Sequence, residues 1–308
     1  LELNTAEKIW DKAPHCAFTD LIRFQNKWFC CFREGKRHAG DDGIIRILQS
    51  QDGEEWSGIA RIALHAIDLR DPHLSVMPDG QLMLLAGAIT WGPEGKCLLR
   101  NSLTAFSSDG RGWTPFRKAA PEGEWLWRAA WHGGKAYGVA YNTHNRKEGW
   151  TIALYQSEYG VDFQKIVSLD VPGNPSETTL RFSKNGEMTA LVRRGGGPKR
   201  YTWIGKSFPP YTQWEWNETR MHFGGPDFLL FPNGRGVACG RIIHKDQTES
   251  VIVAEMTKDS LTHALTLPSG GEDTGYPGMV YHQGVIWISY YSSHEGRSSI
   301  YLVKVKPG

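Results

Sequence analysis

Residues 176–194 read SETTLRFSKNGEMTALVRR, with the carboxylate Glu177 near one end, Arg193 and Arg194 at the other, and the turn signal Lys184-Asn185-Gly186 between two apolar-rich arms. If both arms are β-strands, the turn returns Glu177 and Arg193 to one edge of a hairpin. A carboxylate there can take or give a proton, and an arginine can grip an anionic group with its planar fork. The pattern recurs along the chain. Comparable arms begin at Thr19 and Asp20, Arg70 and Asp71, Arg128, Asp227 and Tyr276; arm ends add Arg33 and Arg241, and the loop EGKRHAGDD adds His38, Asp41 and Asp42. His73, two residues past Asp71, points the same way on a strand. Arginines that neutralise a uronate carboxylate beside a histidine base would suit proton abstraction and elimination. The competing structural account is a buried salt-bridge network, because charges at the centre of a closed scaffold must pair once water is excluded.

The elements that must carry these residues are hairpins in a repeat. Segments 18–33, 71–88, 127–141, 176–194, 225–241 and 276–291 each hold an apolar arm, a turn and a second apolar arm, at a spacing near fifty residues. Each is followed by further strand-like stretches. Six units of four strands predict an all-β, six-bladed β-propeller that occupies residues 1–308 as a single domain. The last unit offers three clear strands, so the N-terminal strand is expected to complete it and close the ring. Alternating strand direction puts the arm starts, including Glu177 and Tyr276, on the face opposite the turns SQDGEEW (50–56), SSDGRGW (107–113) and SEYGVDF (157–163).

Composition agrees with a folded, nearly neutral chain: 35 Lys and Arg oppose 33 Asp and Glu, too even a balance for a generic polyanion binder, and no nucleic-acid signature is present. There is no run of 18 apolar residues and no signal-peptide pattern at the start, so no membrane span is expected; the chain reads as soluble, and as secreted or periplasmic where a leader has been removed. The five cysteines lack CxxC spacing and read as free thiols; neither a metal site nor a cofactor is expected.

The turns SQDGEEW and SSDGRGW resemble the Asp-box, S-x-D-x-G-x-x-W and its shortened forms, of sialidases and related propellers. The resemblance implies that Asp52 and Asp109 cap backbone N–H groups and never meet substrate. It extends to residues 31–56, where Arg33, an Asp-bearing loop, a strand and the first box follow in the family's order. It implies that Asp41, ahead of Asp42, is the acid/base, that Tyr276 is a nucleophile activated by Glu177, and that Arg193 is one of the carboxylate-binding arginines; Arg241 is offered as another only by its equivalent position in the repeat. The chain departs from the family where sialidases carry Arg-Ile-Pro: here the residues are FTDLIRF, and Thr19 or Asp20 takes the place of a cation. The expected activity is an exo-acting glycoside hydrolase for a terminal acidic or polyhydroxylated sugar of a glycan. Its substrate contacts are expected from Asp20, Arg33, Arg70, His73, Arg128, Arg193, Asp227 and Arg241. A lyase or glycosidase working through His38, and a non-catalytic glycan-binding propeller, are the alternatives.

Overall fold

The computed structural model describes residues 1–143, 149–196 and 200–307. Period-2 apolar arms broken by tight turns form six four-stranded antiparallel sheets. Blade 1 comprises β2 (His15–Phe24), β3 (Lys27–Gly35), β4 (Ile44–Ser50) and β5 (Ser57–Ile62). Blade 2 comprises β6 (Asp68–Val76), β7 (Leu82–Trp91), β8 (Cys97–Ser107) and β9 (Arg117–Lys118). Blade 3 holds β10 (Trp125–His132), β11 (Lys135–Asn142), β12 (Thr151–Ser157) and β13 (Gln164–Leu169). Blade 4 holds β14 (Pro175–Phe182), β15 (Met188–Arg194), β16 (Trp203–Ser207) and β17 (Glu215–Glu218). Blade 5 holds β18 (Gly224–Leu230), β19 (Gly236–Ile243), β20 (Glu249–Met256) and β21 (Leu261–Thr266). In blade 6, β22 (Thr274–His282), β23 (Val285–Ser292) and β24 (Ser299–Lys306) are joined by β1 (Glu2–Trp10), which pairs antiparallel with β24 as the outer strand. The six-bladed propeller read from the repeat is the fold, and the N-terminal strand closes its ring. Among the described residues no helix is long and apolar enough to cross a membrane.

The inner strands β2, β6, β10, β14, β18 and β22 pack side by side round the axis. Each carries a β-bulge at the same place: Phe18-Thr19, Asp71-Pro72, Trp127-Arg128, Ser176-Glu177, Gly225-Pro226 and Tyr276-Pro277 each oppose a single residue of the neighbouring strand. A bulge bends its strand and re-aims side chains, and it also tolerates proline, which has no N–H for the ladder. Phe18, Asp71 and Tyr276 hold φ of 60°, 45° and 50° there, a conformation that typically costs about 1–3 kcal/mol and persists only where the surroundings enforce it.

On the other face, the β4–β5 turn is tied by Asp52 Oδ1, which accepts from the N–H groups of Glu54 and Glu55, and by Ser50 Oγ, which accepts from Gly53 N–H. The Trp56 indole N–H donates to Gly53 O. The β8–β9 turn repeats this with Ser107, Asp109, Gly110 and Trp113. A further version occurs after β16, where the Trp214 indole N–H donates to Tyr211 O and Tyr211 takes φ 65° in place of the glycine. Its sequence, SFPPYTQW, has lost the Asp and Gly by which the others are found. All five cysteines are free, and four of them are buried.

Candidate active site

On the face opposite those turns the inner strands surround a cavity of about 460 Å³, lined by Phe18, Asp71, Glu177 and Tyr276 from the bulges together with His38, Arg70, Arg100 and the aromatic rings of Trp91, Trp125 and Tyr141. The β14–β15 register sets Glu177 in the bulge facing Arg193, so a contact between them is local to one hairpin. Arg193 Nη1 donates to Glu177 Oε1 at 2.5 Å and to Tyr276 Oη at 3.1 Å, while Tyr276 Oη donates to the same Glu177 oxygen at 2.8 Å. The backbone N–H of Gly225 holds Glu177 Oε2 at 2.8 Å. Burial alone would raise the Glu177 pKa, but the Arg193 charge and these hydrogen bonds bring it below the usual range. Tyr276 moves the other way: burial and the Glu177 charge raise its pKa. Glu177 is therefore ionised and Tyr276 a neutral phenol aimed at it.

Asp71 faces the same cavity, yet among the described residues no donor hydrogen-bonds to its carboxylate. Burial pushes its pKa up to about 6; Arg70 opposes this and the Glu177 charge adds to it. A carboxyl half-protonated near pH 6 retains at mildly acidic pH the form a general acid requires. Sequence reading placed Asp71 on this face but gave it no role. The signal available was the recurrence of Asp71-Pro72, Gly225-Pro226 and Tyr276-Pro277 at one phase of the repeat.

The expected acid/base Asp41 and several expected substrate contacts are placed elsewhere. Asp41 Oδ1 accepts from Arg33 Nη2 at 2.8 Å and Oδ2 from Lys36 N–H, and Asp41 lines a separate recess with Asp42. After the opposing effect of burial, the Lys36 N–H and Arg33 lower its pKa, which is the wrong direction for an acid. Arg33 is fully buried, donating also to Asp68 Oδ1 at 2.6 Å and to Arg37 O. It clamps the 35–43 loop and has no free fork for a sugar. Asp20, His73, Arg128 and Asp227 do not line the cavity either. Arg128 Nη1 reaches Asp20 Oδ1 at 2.7 Å and Asp227 Oδ2 at 3.3 Å, Arg181 Nη2 donates to Asp227 Oδ1, and His73 Nδ1 lies 3.6 Å from Asp20. These residues follow their bulges or sit at them facing down the shaft, so the competing salt-bridge account holds for this tier. Burial lowers the His73 pKa to about 4, so it is neutral beside the ionised pair.

Arg70 does line the cavity, donating to His38 O at 2.7 Å and lying over the Phe18 ring. Arg241 lies 5.5 Å from the Tyr276 ring centroid and donates to Glu249. The position expected to hold a cation in blade 1 carries Phe18 and Thr19, and Thr19 Oγ1 donates to Tyr276 O. At the rim, His38 Nδ1 and His15 Nε2 share Asp273 Oδ2 at 2.6 and 2.9 Å. Among the described residues these three form the cluster whose spacing could hold a metal ion. The fit is poor, because a ligating imidazole is normally oriented through its second nitrogen, and the buried Nδ1 of His15 has no partner.

No protein-family model matches the chain, and no curated protein matches it in sequence. Solved structures do match in fold. A Dyadobacter fermentans protein described as of unknown function superposes with a TM-score of 0.84 at 16% identity, over 100% of this chain and 99% of its own. The Penicillium chrysogenum alpha-L-arabinanase, complexed with arabinobiose, gives 0.74 at 12% identity, with 99% of each chain covered. The Trypanosoma rangeli sialidase, in complex with sialic acid, gives 0.70 at 11% identity, over 99% of this chain and 57% of the sialidase. The chain thus has the six-bladed propeller fold of sialidase-like and arabinanase structures.

Proposed function

We propose that the protein is an exo-acting glycoside hydrolase that removes a terminal sugar by double displacement at the axial cavity. The observation that carries this reading is the Tyr276–Glu177–Arg193 unit with the unpartnered Asp71 lining the same cavity. Tyr276 Oη attacks the anomeric carbon as its proton passes to Glu177 Oε1, and the Asp71 carboxyl protonates the departing glycosidic oxygen. Arg193 already touches both oxygens, so its fixed positive charge stabilises negative charge as it shifts from the carboxylate to the phenolic oxygen with that proton. In the second step Asp71 takes a proton from water, the water oxygen bonds to the anomeric carbon, and Tyr276 leaves and regains its proton from Glu177. The cavity's volume falls within the usual range for a small-ligand site, which suits a terminal sugar.

The resemblance to sialidases and the solved arabinanase and sialidase structures support a glycosidase reading. Arg193 and Arg241 lie near Tyr276 and Arg70 lines the same cavity, but blade 1 offers no arginine beside Tyr276, so a terminal polyhydroxylated sugar suits the cavity better than one needing an arginine clamp completed from that blade. The test is digestion of an oligosaccharide panel read by mass, with wild type, Tyr276→Phe, Glu177→Gln and the double variant. Release of a terminal residue with addition of water is expected. Each single change should remove most turnover, and the double change should cost little more, as for groups acting together. Full activity in Tyr276→Phe, or products formed by elimination, would overturn the mechanism.

A further inference from the structure

The cavity has a second wall that this mechanism leaves unused. It is built on β7 and β8, strands of 10 and 11 residues, and on the adjoining edge of blade 3. Arg33, Arg70, Arg193 and Arg241 each face a carboxylate. Arg100 differs. Its Nη1 donates to Thr143 Oγ1 at 2.7 Å, and its guanidinium carbon lies 4.7 Å from the Trp125 ring centroid and 5.8 Å from that of Tyr141. Among the described residues no carboxylate pairs with it, and its buried Nε has no acceptor. Aromatic faces offset only part of the cost of a partly desolvated guanidinium, so the residue is poised for an anion that the protein itself does not supply.

The side of the cavity identifies what that anion belongs to. A general acid stands beside the leaving oxygen, so the leaving group lies on the Asp71 side. Arg100 is on that side: it belongs to blade 2 with Asp71, pairing with Ile89, which in turn pairs with Asp68, whereas Arg193 and Arg241, the arginines beside the Tyr276 ring and hydroxyl, come from blades 4 and 5. Resting on the hydrolase reading, we infer that the Trp91–Arg100–Trp125 wall is the leaving-group subsite and takes a sugar bearing an anionic substituent, a uronate carboxylate or a sulfate. The ring packs against Trp91, which is only partly buried, and the anion meets the Arg100 fork, which the buried Trp125 ring backs.

Calorimetric titration with galacturonate and glucuronate against their neutral methyl esters, and with galactose 6-sulfate against galactose, reads this subsite without turnover. At least one anionic sugar should bind about tenfold more tightly than its neutral counterpart. The preference should weaken with added salt, collapse in Arg100→Gln and survive in part in Arg100→Lys. Which pair shows it separates carboxylate from sulfate. Equal binding within both pairs, no binding by any anionic sugar, or a preference that persists in a folded Arg100→Gln protein would overturn the inference. If Arg100→Gln fails to fold, the wild-type pairs and Arg100→Lys still decide. Arg100-dependent selectivity in a protein that cleaves no glycoside supports the anion site and refutes the hydrolase; glycoside cleavage without selectivity does the reverse.

Discussion

Replacing Asp71 by Asn should stabilise the protein and stop it working, with the stabilisation appearing only as pH rises. In the fold the Asp71 carboxyl holds its proton to about pH 6, against 3.8 for the ordinary group, because burial disfavours the charged form and no donor compensates it. The unfolded chain releases that proton earlier. Stability linked to the group is therefore intact below pH 3.8 and declines as pH climbs through 6. The shift of about 2 units corresponds to a ceiling of ~3 kcal/mol at pH 8, and water entering the cavity on ionisation brings the expectation to about 1–3 kcal/mol. Asn is nearly isosteric and tolerates φ of 45°, so any backbone gain is independent of pH. Thermal unfolding of both proteins at pH 4 and pH 8 isolates the linked part: similar midpoints at the lower pH, and Asp71→Asn higher by a few degrees at the upper. Turnover should fall ~10²–10⁴-fold for loss of the acid. In wild type, activity should decline as pH rises past the Asp71 pKa. An Asn variant less stable than wild type at pH 8, or an offset identical at both pH values, would refute the argument that Asp71 is an uncompensated buried carboxyl.

Gly225→Ala would place a Cβ 2.6 Å from the Tyr276 ring on a backbone with φ 56°, so it should destabilise by at least ~1–3 kcal/mol and remove turnover; denaturant unfolding and the oligosaccharide digest check both. Arg128→Met leaves Asp20 without its cation and Asp227 with Arg181 alone, and should lower stability by about 3–5 kcal/mol in denaturant titration; a near-neutral result would show that water already reaches the network. Asp52→Ala and Asp109→Ala each remove a turn cap far from the cavity and should lower the unfolding midpoint while leaving specific activity unchanged. A loss of activity in the folded variants would reverse the assignment of the two faces.

Much of this architecture is written locally. Apolar alternation and turn signals specify hairpins, and the fifty-residue recurrence specifies how many must close into a ring. The Glu177–Arg193 contact follows from one hairpin register, and Tyr276 is brought to Glu177 by the equivalence of blades 4 and 6. The turn after β16 was illegible because Pro, Pro and Tyr provide by other means the conformation that Asp and Gly provide elsewhere. The division of charges between cavity and shaft depended on the tertiary structure. A bulge in each inner strand shifts the side chains beyond it, so Asp71 enters the cavity while Asp20, Arg128 and Asp227 turn to one another. Asp41 and Asp71 are the same residue type on the same face. Asp41 sits within reach of Arg33 and a backbone N–H, whereas Asp71 is buried beyond the reach of any described donor. Which carboxylate is held ionised and which retains its proton is a matter of desolvation and of distances of a few ångströms between blades, and those exist only once the ring has closed.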